Sequence, residues 1–263
     1  MRIETRGPKE GVCNICGTYG PLTEDHTPPK GSIRVSQVEM RHITGLLSTG
    51  KADREFRLSQ NGVKYRTLCA RCNNTLLGAN YDPAFIDFTS QIGAFLKSSL
   101  ALPPTMNVKA KPQKIMRSVL GHISAQGVDR YKKGPNTEPL RDYILDPSAP
   151  LPAAINIYYW IYPFQRQVLV RDCALSDLKV GQPVVIWLMK FFPVTFMVTW
   201  NEPAGYAFRV PILSTHRTLG INGEVELPIP LRPIVHEFWP QAPTQYSFLL
   251  YGQEAIWAIG RPA

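Results

Sequence analysis

Cys13-Asn14-Ile15-Cys16 and Cys69-Ala70-Arg71-Cys72-Asn73-Asn74-Thr75-Leu76-Leu77-Gly78 are the two stretches on which the reading of this chain turns. A Cys-x-x-Cys segment folds back so that both thiolates face one ion, and two such knuckles complete a tetrahedral four-sulfur zinc site. In a reducing compartment, cysteines spaced this way are metal ligands or redox centres more often than disulfides. A thioredoxin-like redox centre needs one such pair in a βαβ setting, and the residues around Cys13 offer none. Cys13, Cys16, Cys69 and Cys72 are therefore expected to hold a structural Zn²⁺. The fifth cysteine, Cys173, stands in an apolar, β-like stretch and reads as a buried small hydrophobe.

Between the knuckles runs Leu22-Thr23-Glu24-Asp25-His26-Thr27-Pro28-Pro29-Lys30. The prolines force the chain out of helix, which places Asp25 and His26 at a strand end. A second knuckle usually opens a helix, so Asn73 is expected in a first helical turn, held there by the metal. His42, His122, His216 and His236 lack comparable neighbours in the sequence and read as ordinary residues.

Knuckle, Asp-His-x-x-Pro and knuckle-Asn, in that order over residues 11–80, resemble the HNH endonucleases, the zinc-stapled ββα-metal or treble-clef nucleases, in their four-cysteine, endonuclease VII-like form. The resemblance implies that His26 is the general base, that Asp25 and Asn73 are the protein ligands of a catalytic Mg²⁺ or Mn²⁺, and that DNA phosphodiesters are hydrolysed to 5′-phosphate and 3′-hydroxyl ends. The chemistry is coherent. Histidine titrates near neutral pH and suits water activation. An all-oxygen ligand set favours a hard cation and leaves zinc to the thiolates. Glu24 is the alternative to Asp25, and Asn74 the alternative to Asn73.

One position departs from the family pattern. The middle Asn of the signature commonly lies about five residues before the third cysteine, where this chain has Lys64 or Tyr65. The nearest Asn is Asn61, and the dipeptide Asn61-Gly62 favours a tight turn, so the bracing role falls to Asn61, with Tyr65 or a backbone group as the alternatives. Lys30, Arg34, Lys64 and Arg71 flank the motif as expected phosphate contacts. The insert between His26 and Cys69 adds Arg34, Arg41, Lys51, Arg54 and Arg57 along the same path.

Outward from this segment, Ala84–Leu100 reads as a helix burying Phe85, Phe88, Ile92, Phe95 and Leu96. Lys111–Ala125 reads as a second amphipathic helix, with Lys114 and Arg117 on its polar side and a packed linker or a DNA-facing surface as its two uses. After Pro135 the texture becomes β-like. Ala153–Tyr162, Gln167–Arg171, Pro183–Met189, Thr195–Trp200, Gly223–Leu227 and Tyr246–Tyr251 are rich in β-branched and aromatic residues. Of 11 Phe, 11 Tyr and 5 Trp, 19 lie in this half. Tyr158, Trp160 and Trp200 are weak candidates for base stacking beside their larger role as core.

Charge divides the chain in the same way. Residues 1–135 carry 20 Lys/Arg against 10 Asp/Glu, and residues 136–263 carry 9 against 10, which accounts for the net +9. A basic first half suits a polyanionic partner, whereas the neutral second half suits sensing, ligand binding or self-association. No apolar run reaches the length of a membrane span, and no secretory signal opens the chain, so the expected compartment is the cytoplasm. No Walker A or GxGxxG loop occurs.

The expected architecture is α+β, with an HNH module over residues 1–80, a basic helical segment over 81–135 and an antiparallel β-rich domain over 136–263. The expected partner is DNA. A homo-oligomer or two successive nicks is needed for double-strand cleavage, and the C-terminal domain is free to take a ligand or protein partner. By architecture the chain also resembles antiphage effectors whose second domain gates cleavage. The competing expectation is a non-catalytic zinc module that recognises nucleic acid, with Asp25-His26 structural.

Overall fold

Two short strands frame the first knuckle: β1 (Glu10–Val12) pairs antiparallel with β2 (Tyr19–His26), and β2 pairs antiparallel with β5 (Lys64–Cys69) to complete a three-stranded sheet. The second knuckle leads from β5 into a π-helical segment, Arg71–Tyr81, which continues without interruption as α1 (Asp82–Ser98). The computed structural model describes residues 3–33, 36–44, 56–98, 101–132, 134–135 and 137–260.

The larger sheet has eight strands, in the order β4 (Arg57–Ser59), β3 (Val38–His42), β13 (Ile256–Gly260), β8 (Gln167–Asp177), β9 (Pro183–Phe191), β10 (Val194–Trp200) and β7 (Ile155–Ile161), with β12 (Ser247–Leu250) also paired to β8. Every pairing in it is antiparallel. The β-rich stretches of the second half thus become strands where the sequence places them. Its central strands are buried on both faces. On one face Phe85 and Phe88 of α1 meet Phe196 and Tyr159 at ring-centroid distances of 5.3 and 6.2 Å. On the other, Tyr158 meets Phe208 at 5.4 Å and Trp160 meets Trp239 at 5.1 Å. Tyr158 and Trp160 are 4% and 2% exposed, so they are core and present no face for base stacking.

Residues 1–80 and 136–263 both supply strands to the large sheet, and all three expected divisions, 1–80, 81–135 and 136–263, contribute to the larger apolar cluster. Residues 38–59, from the insert between His26 and Cys69, supply β3 and β4 to the large sheet, where β3 pairs with β13 from the C-terminus. Residues from Ile3 to Ala258 belong to one continuous apolar cluster. The turn Asn61-Gly62 is present, but it joins β4 of the large sheet to β5 of the small one and forms no hairpin. β6 (Thr105–Ala110) pairs with β11 (Val225–Pro230) in a separate ribbon.

The second helix, α2 (Pro112–Ser124), begins with proline at its first turn, where the missing N–H is no loss. All its residues except Lys114 are buried, so α2 is a packed central element and offers no face to DNA. Arg117, expected on a polar surface, is 1% exposed. Its guanidinium is resolvated by Gln113 Oε1 at 2.6 Å and by the carbonyls of Asp146, Pro147 and Ala149, and lies 3.8 Å over the Tyr143 ring of α3 (Thr137–Leu145). The two terminal nitrogens are thus satisfied, as a buried charge requires, while Nε has no hydrogen-bond partner among the described residues. Among the described residues no helix is long and apolar enough to cross a membrane.

Candidate metal centre and adjoining polar site

The first knuckle is a tight turn closed by two backbone bonds, Cys13 N–H to Thr18 O at 3.0 Å and Gly17 N–H to Cys13 O at 2.9 Å. Gly17 has φ +72°, and a side chain there would also collide with the Tyr131 ring. Asn14 N–H donates to Thr67 O at 3.0 Å, which ties this knuckle to β5 and so to the second knuckle. The ligand atoms of Cys13, Cys16, Cys69 and Cys72 all lie within 4.8 Å of one another. Cys16 Sγ and Cys69 Sγ are 3.7 Å apart, close to the ~3.8 Å that ~2.3 Å Zn–S bonds in a tetrahedron require. Cys13 is drawn down to about 5, first by its contact with Cys72, and Cys72 is pushed up in return. Four sulfurs so close cannot all ionise without a cation among them. The donor set fits a structural metal such as zinc, and it is the one such cluster of His, Cys, Asp and Glu found among the described residues.

β2 carries the polar residues away from this knot. Asn73, on the first turn after the second knuckle, uses both amide hydrogens to hold the strand: Nδ2 donates to Thr23 Oγ1 at 2.9 Å and to Glu24 O at 3.0 Å. Because a carbonyl can only accept, this fixes the orientation of the amide and leaves Oδ1 without a hydrogen bond from a described residue. Asn74 is exposed.

Strand alternation places Asp25 and His26 on opposite sides of β2. His26 is half-buried, and its Nε2 lies 3.0 Å from the backbone carbonyl of Asn61. The carbonyl again decides the chemistry: Nε2 must carry the hydrogen, so in the neutral ring Nδ1 is the free base. Asn61 therefore braces His26 through its main chain, and it sits at φ +61°, a conformation that asparagine tolerates better than most residues. Burial lowers the His26 pKa, against an opposing pull from Asp25, and keeps the ring neutral near pH 7.

Asp25 faces inward and is 2% exposed. Its Oδ2 lies 2.9 Å from His122 Nδ1 and accepts from Thr27 Oγ1 at 3.4 Å. On the far side of the same ring, His122 Nε2 is 2.9 Å from Asp82 Oδ1, which also accepts from Ser118 Oγ at 2.8 Å. With a carboxylate at each nitrogen, His122 carries both hydrogens and a positive charge. Burial opposes that charge, but Asp25 and Asp82 outweigh it and raise the pKa to about 10. Burial pushes the Asp25 carboxyl up, with His122 pulling the other way, while His122 and Ser118 hold Asp82 low despite its own burial. Asp25 Oδ1 accepts no hydrogen bond from a described residue.

His122, read from the sequence as an ordinary residue, is thus the polar centre of the fold. Its spacing from Ser118 puts both on one face of α2, but nothing local announces that Asp25 and Asp82 arrive there from 97 and 40 residues away. The expected phosphate contacts are scattered. Lys30 and Arg71 are exposed. Lys64 is committed to Glu24 at 2.8 Å, and that carboxylate is shared with Arg66 at 3.4 Å and Arg6 at 3.7 Å. Lys64 first, and the two arginines after it, hold the Glu24 pKa low. Arg41 is paired with Glu39 at 2.6 Å, and Arg57 donates to Ile3 O at 2.7 Å. Arg34, Lys51 and Arg54 lie outside the described residues. No family model, curated protein or solved structure matches this chain.

Proposed function

We propose that this protein is a metal-dependent endonuclease of the HNH type that hydrolyses phosphodiester bonds in DNA. The observation that carries the reading is the arrangement at the end of β2: a four-sulfur knot ties the strand to the helix bearing Asn73, and Asn61 fixes His26 with Nδ1 free. His26 Nδ1 takes the proton of the attacking water, and Nε2 stays on the Asn61 carbonyl, which stabilises the imidazolium that forms. Asn73 Oδ1 and Asp25 Oδ1 would hold a Mg²⁺ or Mn²⁺ ion, oriented by the amide and Oδ2 bonds described above, with Asp25 on the buried side of β2 and His26 on the other. Such an ion, when bound, neutralises charge developing on the phosphate and the leaving oxygen. Lys30 and Arg71 are exposed cations flanking the site and suit backbone phosphates. One site cuts one strand, so double-strand breaks need two copies or two successive events. Service as a gated defence effector is consistent with the neutral second half.

Incubating zinc-loaded protein with supercoiled plasmid and Mg²⁺ or Mn²⁺ tests the reading. Wild type should produce nicked and linear DNA, and His26→Ala should lose cutting by about 10²-fold or more while retaining zinc and DNA binding.

A second reading rests on Asp25. Its carboxylate is buried against His122, which is how a purely structural acid looks, and in that reading the zinc module binds nucleic acid without cutting it. Wild type and His26→Ala would then bind alike, and neither would cleave.

A further inference from the structure

A cavity of about 590 Å³ opens between the first knuckle and the large sheet. Asn14 and Ile15 of the knuckle and Trp187 and Trp200 of the sheet are among its lining residues. Neither His26 nor Asn73 lines it. Its volume falls in the range of small-molecule sites, roughly 300–1,000 Å³, and is far too small for a duplex.

The lining is chemically lopsided. Four cations, Arg130, Lys132, Arg141 and Arg171, face one carboxylate, Asp172. That carboxylate is already occupied, accepting from Trp187 Nε1 at 3.0 Å and lying 3.9 Å from Arg171 Nε. The Arg171 guanidinium is anchored on the carbonyls of Ser124 and Gln126 at 2.9 and 2.7 Å, which place it without cancelling its charge. Arg130 reaches Glu254 at 3.1 Å, outside the lining. Arg141 lies over the Tyr131 ring and 3.8 Å from the exposed Asp142 carboxylate, outside the lining. Lys132 is exposed and makes no ion pair among the described residues. The tryptophan pair is ordered by its own contact, with ring centroids 5.4 Å apart and edge to face.

The local backbone explains why these groups converge. A register shift in β8 between Val170 and Cys173 leaves Arg171 and Asp172 unpaired with β9, and Asp172 adopts φ +58°. A bulge of this kind turns side chains out of strand alternation and toward a site. The knuckle is bonded to the end of α2 and the segment after it: Asn14 Nδ2 donates to Ser124 O and Gly127 O at 3.2 and 2.8 Å, and its Oδ1 accepts from Arg130 N–H at 3.1 Å.

Trp187 is 5% exposed and lies under the Arg171 guanidinium, so the half-buried Trp200 is the indole open to a ligand. A complementary ligand carries a flat ring for it and anionic oxygens for the cations. We propose that the cavity binds a nucleotide, with the base against Trp200 and the phosphates toward Lys132, Arg130 and Arg141. Aromatic walls accept any base by stacking, and arginine suits phosphate oxygens bidentately. The proposal does not depend on nuclease activity, because none of these residues belongs to the His26 site.

Calorimetric titration of the full-length, zinc-loaded protein with ATP, GTP, CTP and UTP, with adenosine and with a thymidine hexanucleotide tests it. At least one triphosphate should bind and quench tryptophan fluorescence, and adenosine should bind more weakly than ATP. Lys132→Glu, at an exposed position, should weaken the best triphosphate at least about tenfold, the loss expected when a charge-assisted contact becomes repulsive. Trp200→Leu should weaken it and reduce the quench; if that variant fails to fold, Lys132→Glu alone decides. Absence of binding by all four triphosphates up to about 1 mM, a weak limit on this affinity scale, overturns the proposal. Binding unchanged in Lys132→Glu, or binding by the hexanucleotide alone, overturns it equally.

Discussion

His26 and His122 lie on either side of Asp25 and are held in opposite states. His26 is half-buried and bonded to a backbone carbonyl, so one nitrogen is spoken for and the ring stays neutral with a free base. His122 is fully buried between Asp25 and Asp82, so both nitrogens are hydrogen-bonded and the ring stays charged. The difference lies in the partner. A carbonyl orients an imidazole without supplying charge, whereas a carboxylate on each side supplies enough to overcome desolvation. The first arrangement suits proton transfer, and the second suits holding a fold together.

The largest way to break this contrast is to remove the knot that positions both. Stripping the metal with a chelator, or Cys72→Ser, should release the strand that bears Asp25 and His26, with loss of cooperative melting seen by circular dichroism. If melting is unchanged after metal loss, the four sulfurs are not structural ligands. His122→Ala should come next. It leaves Asp25 and Asp82 buried and unpaired, at a cost of about 3–5 kcal/mol measured by denaturant unfolding. His26→Ala should shift stability by less than about 1 kcal/mol while removing cleavage, so the two substitutions separate fold from chemistry. Equal destabilisation by both would erase the distinction between them.

Acidity sharpens the comparison. Because the folded His122 pKa lies above its unfolded value of about 6.5, its stabilisation is fully present below that pH and is lost as pH rises through about 10. Unfolding free energy that stays flat from pH 7 to 11 would contradict the charged state. Cleavage should behave differently, rising with pH through the lowered pKa of His26 and levelling off at a lower pH than an unperturbed histidine would give. The smallest effect belongs to Asn61. Asn61→Gly keeps the carbonyl and tolerates φ +61°, so activity should survive, whereas Asn61→Val should cost about 1–2 kcal/mol through backbone strain. Loss of cutting in Asn61→Gly would mean that the side chain, and not the main chain, serves the site.

How far the sequence could be read depends on how local each signal is. Two Cys-x-x-Cys pairs are self-contained, and their four sulfurs do converge. The strands around Tyr158, Val170, Ile186 and Met197 were legible because β-branched and aromatic runs between turn residues need no distant information. What escaped was non-local. β3 and β4 come from an insert that looks like a charged loop, and they become strands only because β13 from the far end of the chain offers an edge. Arg117 sits at a position that reads as solvent on an amphipathic helix, and it is buried because three carbonyls brought by another segment, with Gln113 of its own helix, replace water. The partnership of His122 with Asp25 and Asp82 is of the same kind. The position of Asn61 and its turn point to the bracing role, but which of its groups braces His26 was not legible, because the carbonyl that does so is one every residue carries.

The most direct measurement is a nitrogen-15 long-range correlation spectrum of the histidine rings near pH 7, assigned with His26→Ala and His122→Gln. The account predicts a neutral Nε2–H ring with a bare Nδ1 for His26 and a doubly protonated ring for His122. A charged or Nδ1-protonated His26, or a neutral His122, would contradict it.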